Sequence, residues 1–366
     1  MIARVAITLD SLRELVAQRD ERVKAFQFRD LAETMRDRGV LVVCTEADKR
    51  SFYNFVRIEL SDQNAGLPAQ VLEKMLEFLV KHCRFVVSPS APRIALDAVV
   101  DPRTFKVDGD WFGRVDVAVV DDSQATSLGL KPDRCSVNIP TLAGGLLAGA
   151  GATTAITTAK TVRRSQPFDS WGPAGVFAPE STREEAFLRI QTAALFSKKI
   201  VVTDRYLFRD ASSRTGESID WFVRRVSKLP PIAGGRELVF LGTFSQQKKE
   251  GRWMITNLPR GFQEVMDRLL KLSNHWDITR ESGVSAVRFS AIDYSKAGKV
   301  HDRYIHFSAG FGLGVGTGFG PVFDQESLSK DAEWKVILQS SEEAYGAMER
   351  MENAMGVKDT TSLIGG

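Results

Sequence analysis

The chain has 366 residues, of which 43% are hydrophobic and 26% are charged, and its formal net charge is +3. This length suits two domains of roughly 150 residues each, and the hydrophobic content excludes an intrinsically disordered chain. The nearly balanced charge excludes a global field that would by itself mark a nucleic-acid or membrane protein, so any basic groove must arise locally.

The cysteines and the start of the chain predict the cellular compartment. Cys44, Cys83 and Cys135 are odd in number, and no two of them have the CxxC spacing. We therefore expect reduced thiols and a cytoplasmic protein. The chain opens directly into an apolar run, without a basic region before it, so we expect no signal peptide.

Strands and helices alternate at short spacing in the first third of the chain. Met1 to Leu9 has the pattern of a buried strand, and Ser11 to Arg38 that of a long amphipathic helical region. Further elements are a strand at Val40–Cys44, a helix beginning at Pro68, and strands at Phe85–Val87 and Val115–Val120. This alternation predicts an α/β domain with a mostly parallel sheet over residues 1–135.

A segment without charge follows, from Ser136 to Ala159. It is long enough to span a bilayer, but it is rich in Gly, Ala and Thr and contains Pro140, so its composition argues against membrane insertion. Three prolines between Arg163 and Glu180 then suggest a linker. We therefore assign residues 136–182 to an apolar segment and an interdomain linker.

The second half again alternates helices and strands. Its predicted helices are Arg183–Phe196, Ile219–Leu229 and Gly261–Leu272, and its predicted strands are Lys199–Leu207, Glu237–Gly242, Ser285–Phe289 and Val300–Phe307. We expect a second α/β domain over residues 183–350, followed by a flexible tail over 351–366.

A histidine and an arginine stand two positions apart at the start of the last strand, in the run His301-Asp-Arg303. Side chains at i and i+2 point to one face of a strand, so these two are expected to point together. A neutral imidazole can attack phosphorus while the adjacent cation holds the phosphate oxygens. Gly314, Gly316 and Gly318 follow in a glycine-rich stretch, where backbone N–H groups could approach a phosphate.

This motif resembles that of phospholipase D-like proteins, in which a strand presents His-x-Lys before an Asp and a glycine-rich turn. The element order over residues 185–350, from the strand ending in Val-Thr-Asp204-Arg205-Tyr to His-Asp-Arg-Tyr-Ile, is most similar to the phospholipase D-like domain at the C-terminus of MIT-domain proteins. The resemblance implies that His301 is the nucleophile and Arg303 the phosphate clamp. It also implies that Arg205 and the glycines bind phosphate and that no cofactor is needed at this site.

The chain departs from the family pattern in three ways. Arg303 replaces the lysine, Ser308 stands where the Asp is expected, and the motif occurs once although the family's chemistry uses two histidines. Cleavage would therefore imply a homodimer. Other interpretations are phosphate binding without turnover and a merely structural role for His301.

The family analogy suggests that the protein recognises nucleic acid in prokaryotic antiviral defence. If the motif is catalytic, the protein would also cleave the nucleic acid. The MIT-associated domains are binding domains with degenerate sites. The alternative function is therefore a non-enzymatic adaptor that binds phospholipid headgroups or a partner protein.

Acidic residues follow three predicted strands of the first domain: Asp10, Glu46 and Asp121. Carboxylates at the carboxyl ends of parallel strands converge on one sheet edge, where they can hold Mg²⁺ or Mn²⁺. Their order is loosely similar to that of PIN-like nucleases, which implies metal-dependent hydrolysis of a phosphodiester. The alternative is that these residues are helix caps and turn residues.

Overall fold

The computed structural model describes residues 2–43, 45–60, 66–87, 116–127, 137–140, 153–160, 174–177, 181–208, 213–232, 234–243, 246–249, 252–255, 266–267, 269–279, 282–292, 303–316, 318–323, 332–338, 342–355 and 360–365. The chain divides into two compact units, Met1–Gly172 and Pro173–Gly366. Each unit combines helices with a β-sheet, so the predicted α/β class is confirmed.

The division between the units differs from the predicted boundaries at 135 and 182, because three short strands lie within that segment. Val137–Pro140 and Thr153–Thr158 join the sheet of the first unit, and Ala174–Phe177 joins that of the second. These strands are short and carry no charge, so their composition resembles that of a linker. Among the residues that the structure describes, no helix has the length and apolar character needed to cross a bilayer.

The first unit contains six described strands and five described α-helices. The strands are β1 (Ala3–Ile7), β2 (Gly39–Val43), β3 (Phe85–Val87), β4 (Val117–Val120), β5 (Val137–Pro140) and β6 (Thr153–Thr158). The helices are α1 (Leu9–Val16), α2 (Glu21–Arg38), α3 (Glu46–Asn54), which continues into a π-helical turn (Phe55–Glu59), α4 (Leu67–Lys81) and α5 (Asp122–Ser127).

The sheet of the first unit has the strand order β3-β2-β1-β4-β6-β5. The first five strands are parallel, and β5 is antiparallel to β6 at the edge. Both β2 and β4 are buried along their whole length, as expected for parallel strands covered on both faces. The prediction of a mostly parallel sheet is therefore confirmed.

Side-chain caps set where the helices of this unit begin. The predicted helical region from Ser11 to Arg38 is two helices, because the carboxylate of Asp20 accepts the N–H groups of Arg22 and Val23 and starts α2 anew. A capping box starts α3, in which the Thr45 hydroxyl accepts the Asp48 N–H and the Asp48 carboxylate accepts the Thr45 N–H. These caps fix the directions in which the helices leave the carboxyl edge of the sheet.

The second unit contains ten described strands and, apart from short helical stretches at 266–267 and 269–273, four described α-helices. The strands are β7 (Ala174–Phe177), β8 (Lys199–Thr203), β9 (Glu237–Thr243), β10 (Gln246–Lys249), β11 (Arg252–Ile255), β12 (Ala286–Ile292), β13 (Tyr304–Phe307), β14 (Phe311–Val315), β15 (Ala332–Leu338) and β16 (Thr360–Gly365). The helices are α6 (Arg183–Phe196), α7 (Ser213–Ser227), α8 (Phe319–Phe323) and α9 (Glu342–Met355).

Eight of these strands form one mixed sheet in the order β16-β12-β9-β8-β13-β14-β15-β7. Strands β12, β9 and β8 are parallel, and from β8 through β13 to β7 each pair is antiparallel. The predicted tail over 351–366 instead includes the end of α9 and strand β16, which pairs with β12. The tail prediction failed because Thr-Thr-Ser-Leu-Ile is too short a run to distinguish a strand from a disordered terminus.

The two sides of β13 lie in different environments because its side chains alternate. Ile305 and Phe307 are fully buried, whereas His306 faces α9, where it contacts Tyr345 and Glu352.

A large aromatic cluster lies between the helices α6, α7 and α8 and the strands β9 and β12. Its members are Phe187, Trp221, Phe222, Phe240, Phe289, Phe319 and Phe323.

A buried arginine ties together the amino ends of the strands in this unit. Arg236 donates to the carbonyl oxygens of Leu195 at 2.8 Å, Ser197 at 3.1 Å and Pro230 at 3.4 Å, and also to that of Gly283. Burial lowers its pKa to about 10. Because its described partners are main-chain carbonyls, this cation stabilises the fold and does not form part of a ligand site.

Candidate functional site

The predicted catalytic motif contains His301 and Arg303. The structure describes Arg303, whereas His301 lies outside the described residues. Arg303 immediately precedes β13 and so lies beside the carboxyl end of the antiparallel strand β8. Its side chain is 22% exposed. Its Nη1 donates to the carbonyl oxygen of Gly316, and its guanidinium lies 5.1 Å from the centre of the Tyr206 ring.

A buried carboxylate that the sequence did not single out stands next to this guanidinium. Asp204 directly follows β8, and its side chain is only 6% exposed. Its Oδ1 lies 3.7 Å from Arg303 Nε, which is an ion pair beyond hydrogen-bond distance. The carboxylate accepts two backbone N–H groups instead, from Tyr206 at 2.8 Å and from Phe319 at 2.9 Å.

Arg205, predicted to bind phosphate, lies in the turn between Asp204 and Tyr206 and is itself only 5% exposed. Its carbonyl oxygen accepts both the N–H and the hydroxyl of Thr243, at 3.3 and 2.5 Å. Arg205 therefore helps to anchor the turn that follows β8 to the end of β9.

The glycines predicted to surround a phosphate lie in two kinds of structure. Gly314 is within strand β14, opposite Tyr304, so part of the predicted glycine-rich turn is a strand. The N–H groups of Gly316 and Gly318 donate to the carbonyl oxygens of Glu333 and Val315, at 2.9 and 3.1 Å. Both of these N–H groups are therefore already used within the fold.

Gly318 has a packing role that explains why a glycine occupies this position. Its φ is +103°, and an added Cβ would lie 2.9 Å from Asp204 Oδ2 and 3.3 Å from Arg303 Cδ. Any side chain here would displace the carboxylate or the arginine. The glycine thus allows the turn to close over Asp204.

Ser308, which stands where the family has an Asp, lies at the far end of β13 from Arg303. Its hydroxyl accepts the N–H of Lys199, and its own N–H donates to the carbonyl oxygen of Lys199. These bonds close the ladder between β8 and β13, so Ser308 has a structural role at the opposite end of the strand.

His306 forms a separate hydrogen-bonded cluster beneath α9. Its Nδ1 is 2.7 Å from Glu352 Oε2 and its Nε2 is 2.7 Å from the Tyr345 hydroxyl, while Lys199 Nζ lies 3.4 Å from Glu352 Oε1. Burial opposes ionisation of Glu352, but the hydrogen bond with His306 and the charge of Lys199 lower its pKa below the usual range. This cluster fastens α9 to the sheet.

In the first unit, Asp10, Glu46 and Asp121 follow β1, β2 and β4, three adjacent strands, so the topology brings them to one sheet edge. Asp10 pairs with Arg13 at 2.8 Å, and Glu46 is the first residue of α3. The Asp121 carboxylate accepts the N–H and hydroxyl of Ser123, at 2.8 and 2.6 Å, at the start of α5. These are the contacts expected from helix caps and first-turn residues.

A lysine that follows β6 provides a cation at the same edge. Lys160 Nζ lies 2.5 Å from both Glu14 Oε1 and Asp122 Oδ2, and the Asp122 N–H donates to Glu14 Oε2 at 2.8 Å. Burial raises the pKa of Glu14. Burial also opposes ionisation of Asp122, but its hydrogen bonds with Glu14 and Lys160 together outweigh burial, so the pKa of Asp122 is lowered. Where the structure describes the chain, no three His, Cys, Asp or Glu side chains converge as a metal site would require.

Asp204, Glu14 and Lys160 were not identified from the sequence. Only Asp204 carried a readable signal, since it stands in the Val-Thr-Asp204-Arg205-Tyr run that forms part of the family resemblance. Lys160 follows a strand that lies in the predicted apolar segment, so its approach to Glu14 depends on a topology that was not predicted.

No protein-family model matches the chain, and no curated protein is significantly similar to it in sequence.

Proposed function

We propose that the second unit recognises a phosphodiester of nucleic acid through Arg303. The observation that carries this proposal is a partly exposed guanidinium held beside the carboxyl end of β8 by a carboxylate, an aromatic ring and a carbonyl oxygen. Guanidinium groups bind phosphate oxygens through charge-assisted hydrogen bonds in a planar geometry. A guanidinium that is already fixed in place loses less conformational entropy when it binds.

Recognition without turnover fits the site better than cleavage does. Arg303 stands where phospholipase D-like enzymes have lysine, and it already pairs with Asp204. An arginine stays protonated at all physiological pH values, so it can hold a phosphate but cannot take part in proton transfer. Cleavage would require His301 as nucleophile and a second His301 from a homodimer. A role in antiviral defence follows from the family analogy alone.

The alternative function is an adaptor that binds a partner protein or a phospholipid headgroup, and a specific observation favours its protein-binding form. The N–H groups of Gly316 and Gly318 are used within the fold, so fewer donors remain for a phosphate than in a site built for one. A headgroup ligand and a nucleic acid share the phosphate, and vesicles separate the two in a direct competition.

The test is binding of a fluorescein-labelled single-stranded oligonucleotide, in EDTA and in Mn²⁺, by wild type and Arg303→Ala. We expect Arg303→Ala to weaken binding by about tenfold or more, the value of one charge-assisted contact. Arg224→Ala is the matched control, because Arg224 also pairs with a buried aspartate, Asp220, in the same unit. Equal affinities of wild type and Arg303→Ala would exclude the proposed function.

The same samples report on cleavage. Product that forms in EDTA and disappears with His301→Ala would establish a phospholipase D-type reaction. Product that needs Mn²⁺ and disappears with Asp10→Ala would transfer the reaction to the first unit. Displacement of the oligonucleotide by phosphatidylserine vesicles at a much lower phosphate concentration than unlabelled DNA requires would favour the adaptor.

A further inference from the structure

We infer that Asp204 is the positioning residue of the Arg303 site: it holds the guanidinium, and the two groups that flank it, in the arrangement that receives a phosphate. This inference rests on the proposed function and gives a role to Asp204, to which the sequence motif assigned none. Its basis is that Asp204 contacts each segment that restrains Arg303.

Asp204 restrains Arg303 directly through charge. Its carboxylate lies 3.7 Å from Arg303 Nε, and that nitrogen is buried and makes no hydrogen bond within the described parts of the chain. The exposed fraction of the side chain therefore belongs to its other atoms. A nearby carboxylate offsets the cost of burying this end of the guanidinium.

Asp204 also holds the aromatic ring that lies against Arg303. The Tyr206 N–H donates to Asp204 Oδ1 at 2.8 Å, and this fixes the turn that carries the ring. The ring centre is 5.1 Å from the Arg303 guanidinium carbon, within range of a cation–π interaction. A change at Asp204 would therefore loosen the ring as well as the charge pair.

The third restraint is the turn that supplies the carbonyl oxygen of Gly316. The Phe319 N–H donates to Asp204 Oδ2 at 2.9 Å, which fastens the end of this turn to the end of β8. Gly318 makes the approach possible, since a Cβ there would lie 2.9 Å from the same oxygen. The Asp204 carboxylate is thus held by two backbone N–H groups and does not need Arg303 to satisfy its oxygens.

The two backbone N–H groups that hold the Asp204 carboxylate distinguish a positioning role from a purely structural one. Because both oxygens of Asp204 already accept hydrogen bonds, its charge can orient Arg303 without forming a bond that a phosphate would have to break. Arg303 then keeps for the ligand the Nη N–H groups that do not bind Gly316, whereas an arginine in a bidentate pair, such as Arg4 with Asp116, has both Nε and an Nη bound to the carboxylate.

The test is a double-mutant cycle on oligonucleotide affinity with Asp204→Asn, Arg303→Ala and the double variant. We expect Asp204→Asn to weaken binding about tenfold and to have no further effect once Arg303 is alanine. The cycle Asp220→Asn with Arg224→Ala is the control, and it should leave affinity unchanged. An Asp204→Asn effect that persists undiminished in the Arg303→Ala background would overturn the inference, as would unchanged or tighter binding by Asp204→Asn.

A second measurement keeps the inference testable if Asp204→Asn fails to fold, as judged by its near-ultraviolet circular dichroism. In ¹⁵N-arginine-labelled wild type, the Nε–H resonance of Arg303, assigned through its loss in Arg303→Ala, should exchange with water far more slowly than that of exposed Arg22. Equally fast exchange would show that Arg303 is not held before binding. If Arg303→Ala binds like wild type, the proposed function fails, and this exchange rate still decides whether Arg303 is held in place.

Discussion

Cys83 ends helix α4 in a backbone conformation that glycine normally supplies. Its φ is +55°, the left-handed region that is costly for a residue with a side chain. The Cys83 N–H donates to the Val80 carbonyl oxygen at 3.0 Å, and the Arg84 N–H donates to that of Leu79 at 2.6 Å. These are the two bonds of a Schellman motif, so the hydrogen bonding of the helix end imposes the conformation.

Cys83→Gly should therefore stabilise the protein by about 1 kcal/mol, since glycine adopts this φ without a steric penalty. Thermal unfolding would show a higher Tm than wild type. Cys83→Ala removes the thiol but keeps the Cβ, so it serves as the control and should leave the Tm nearly unchanged. A stabilisation shared by both variants would assign the effect to the thiol instead.

Glu352 gives the second unit a stability that depends on pH. Its pKa in the folded state lies below its ordinary value of 4.5, so the cluster with His306 stabilises the fold above that value and loses this contribution as the pH falls through the folded pKa. Glu352→Gln should lower the Tm at pH 7. At pH 3 the difference in Tm between this variant and the wild type should be smaller. A gap that stays constant between these pH values would contradict the linkage.

At the scale of elements, α9 packs on the sheet where a glycine makes room for it. A Cβ at Gly312 in β14 would lie 2.6 Å from Met348 Sδ and 3.2 Å from Ile337 Cβ. The glycines of this stretch thus serve helix docking and strand pairing, as well as the turn beside Arg303.

Gly312→Ala should destabilise the protein by about 1–3 kcal/mol, the usual cost of overpacking a filled interface. The double variant Gly312→Ala/Met348→Ala should lose less stability than the sum of the two single variants, because it lacks the atom that is closest to the new methyl group. Urea unfolding curves of Gly312→Ala, Met348→Ala and the double variant test this, and additive losses would show that the contact is not responsible.

Elements with strong local signals were predicted accurately. The helix Arg183–Phe196 and the strand Phe85–Val87 have the predicted limits, because a capping box at Thr182 and a buried apolar run mark them in the sequence. Strand β14 was expected to be a turn, since a glycine-rich sequence does not reveal that its neighbours in space are β13 and β15.

The site could be predicted only in part for the same reason. Arg303 follows from a motif of adjacent residues, whereas Asp204 is distant in sequence and reaches it only because β8 and β13 pair antiparallel. Burial of a carboxylate also has no signature in a single sequence, since acidic residues at strand ends are usually exposed caps.

At the scale of the whole molecule, each unit places a cation at the carboxyl edge of its parallel strands, but the two cations differ in how they are held. Lys160 contacts two carboxylates at 2.5 Å, so its charge is neutralised within the first unit. Arg303 lies 3.7 Å from one carboxylate whose oxygens already accept backbone N–H groups. An added phosphate therefore gains more from Arg303 than from Lys160, which assigns the proposed recognition to the second unit.

The most direct test is the salt dependence of oligonucleotide affinity for wild type, Arg303→Ala and the control Arg224→Ala. Loss of one phosphate contact on a single strand should reduce the slope of log affinity against log salt by about 0.7. We predict that reduction for Arg303→Ala and the wild-type slope for Arg224→Ala. Three parallel lines would contradict the account, because they would mean that Arg303 makes no contact with a phosphate.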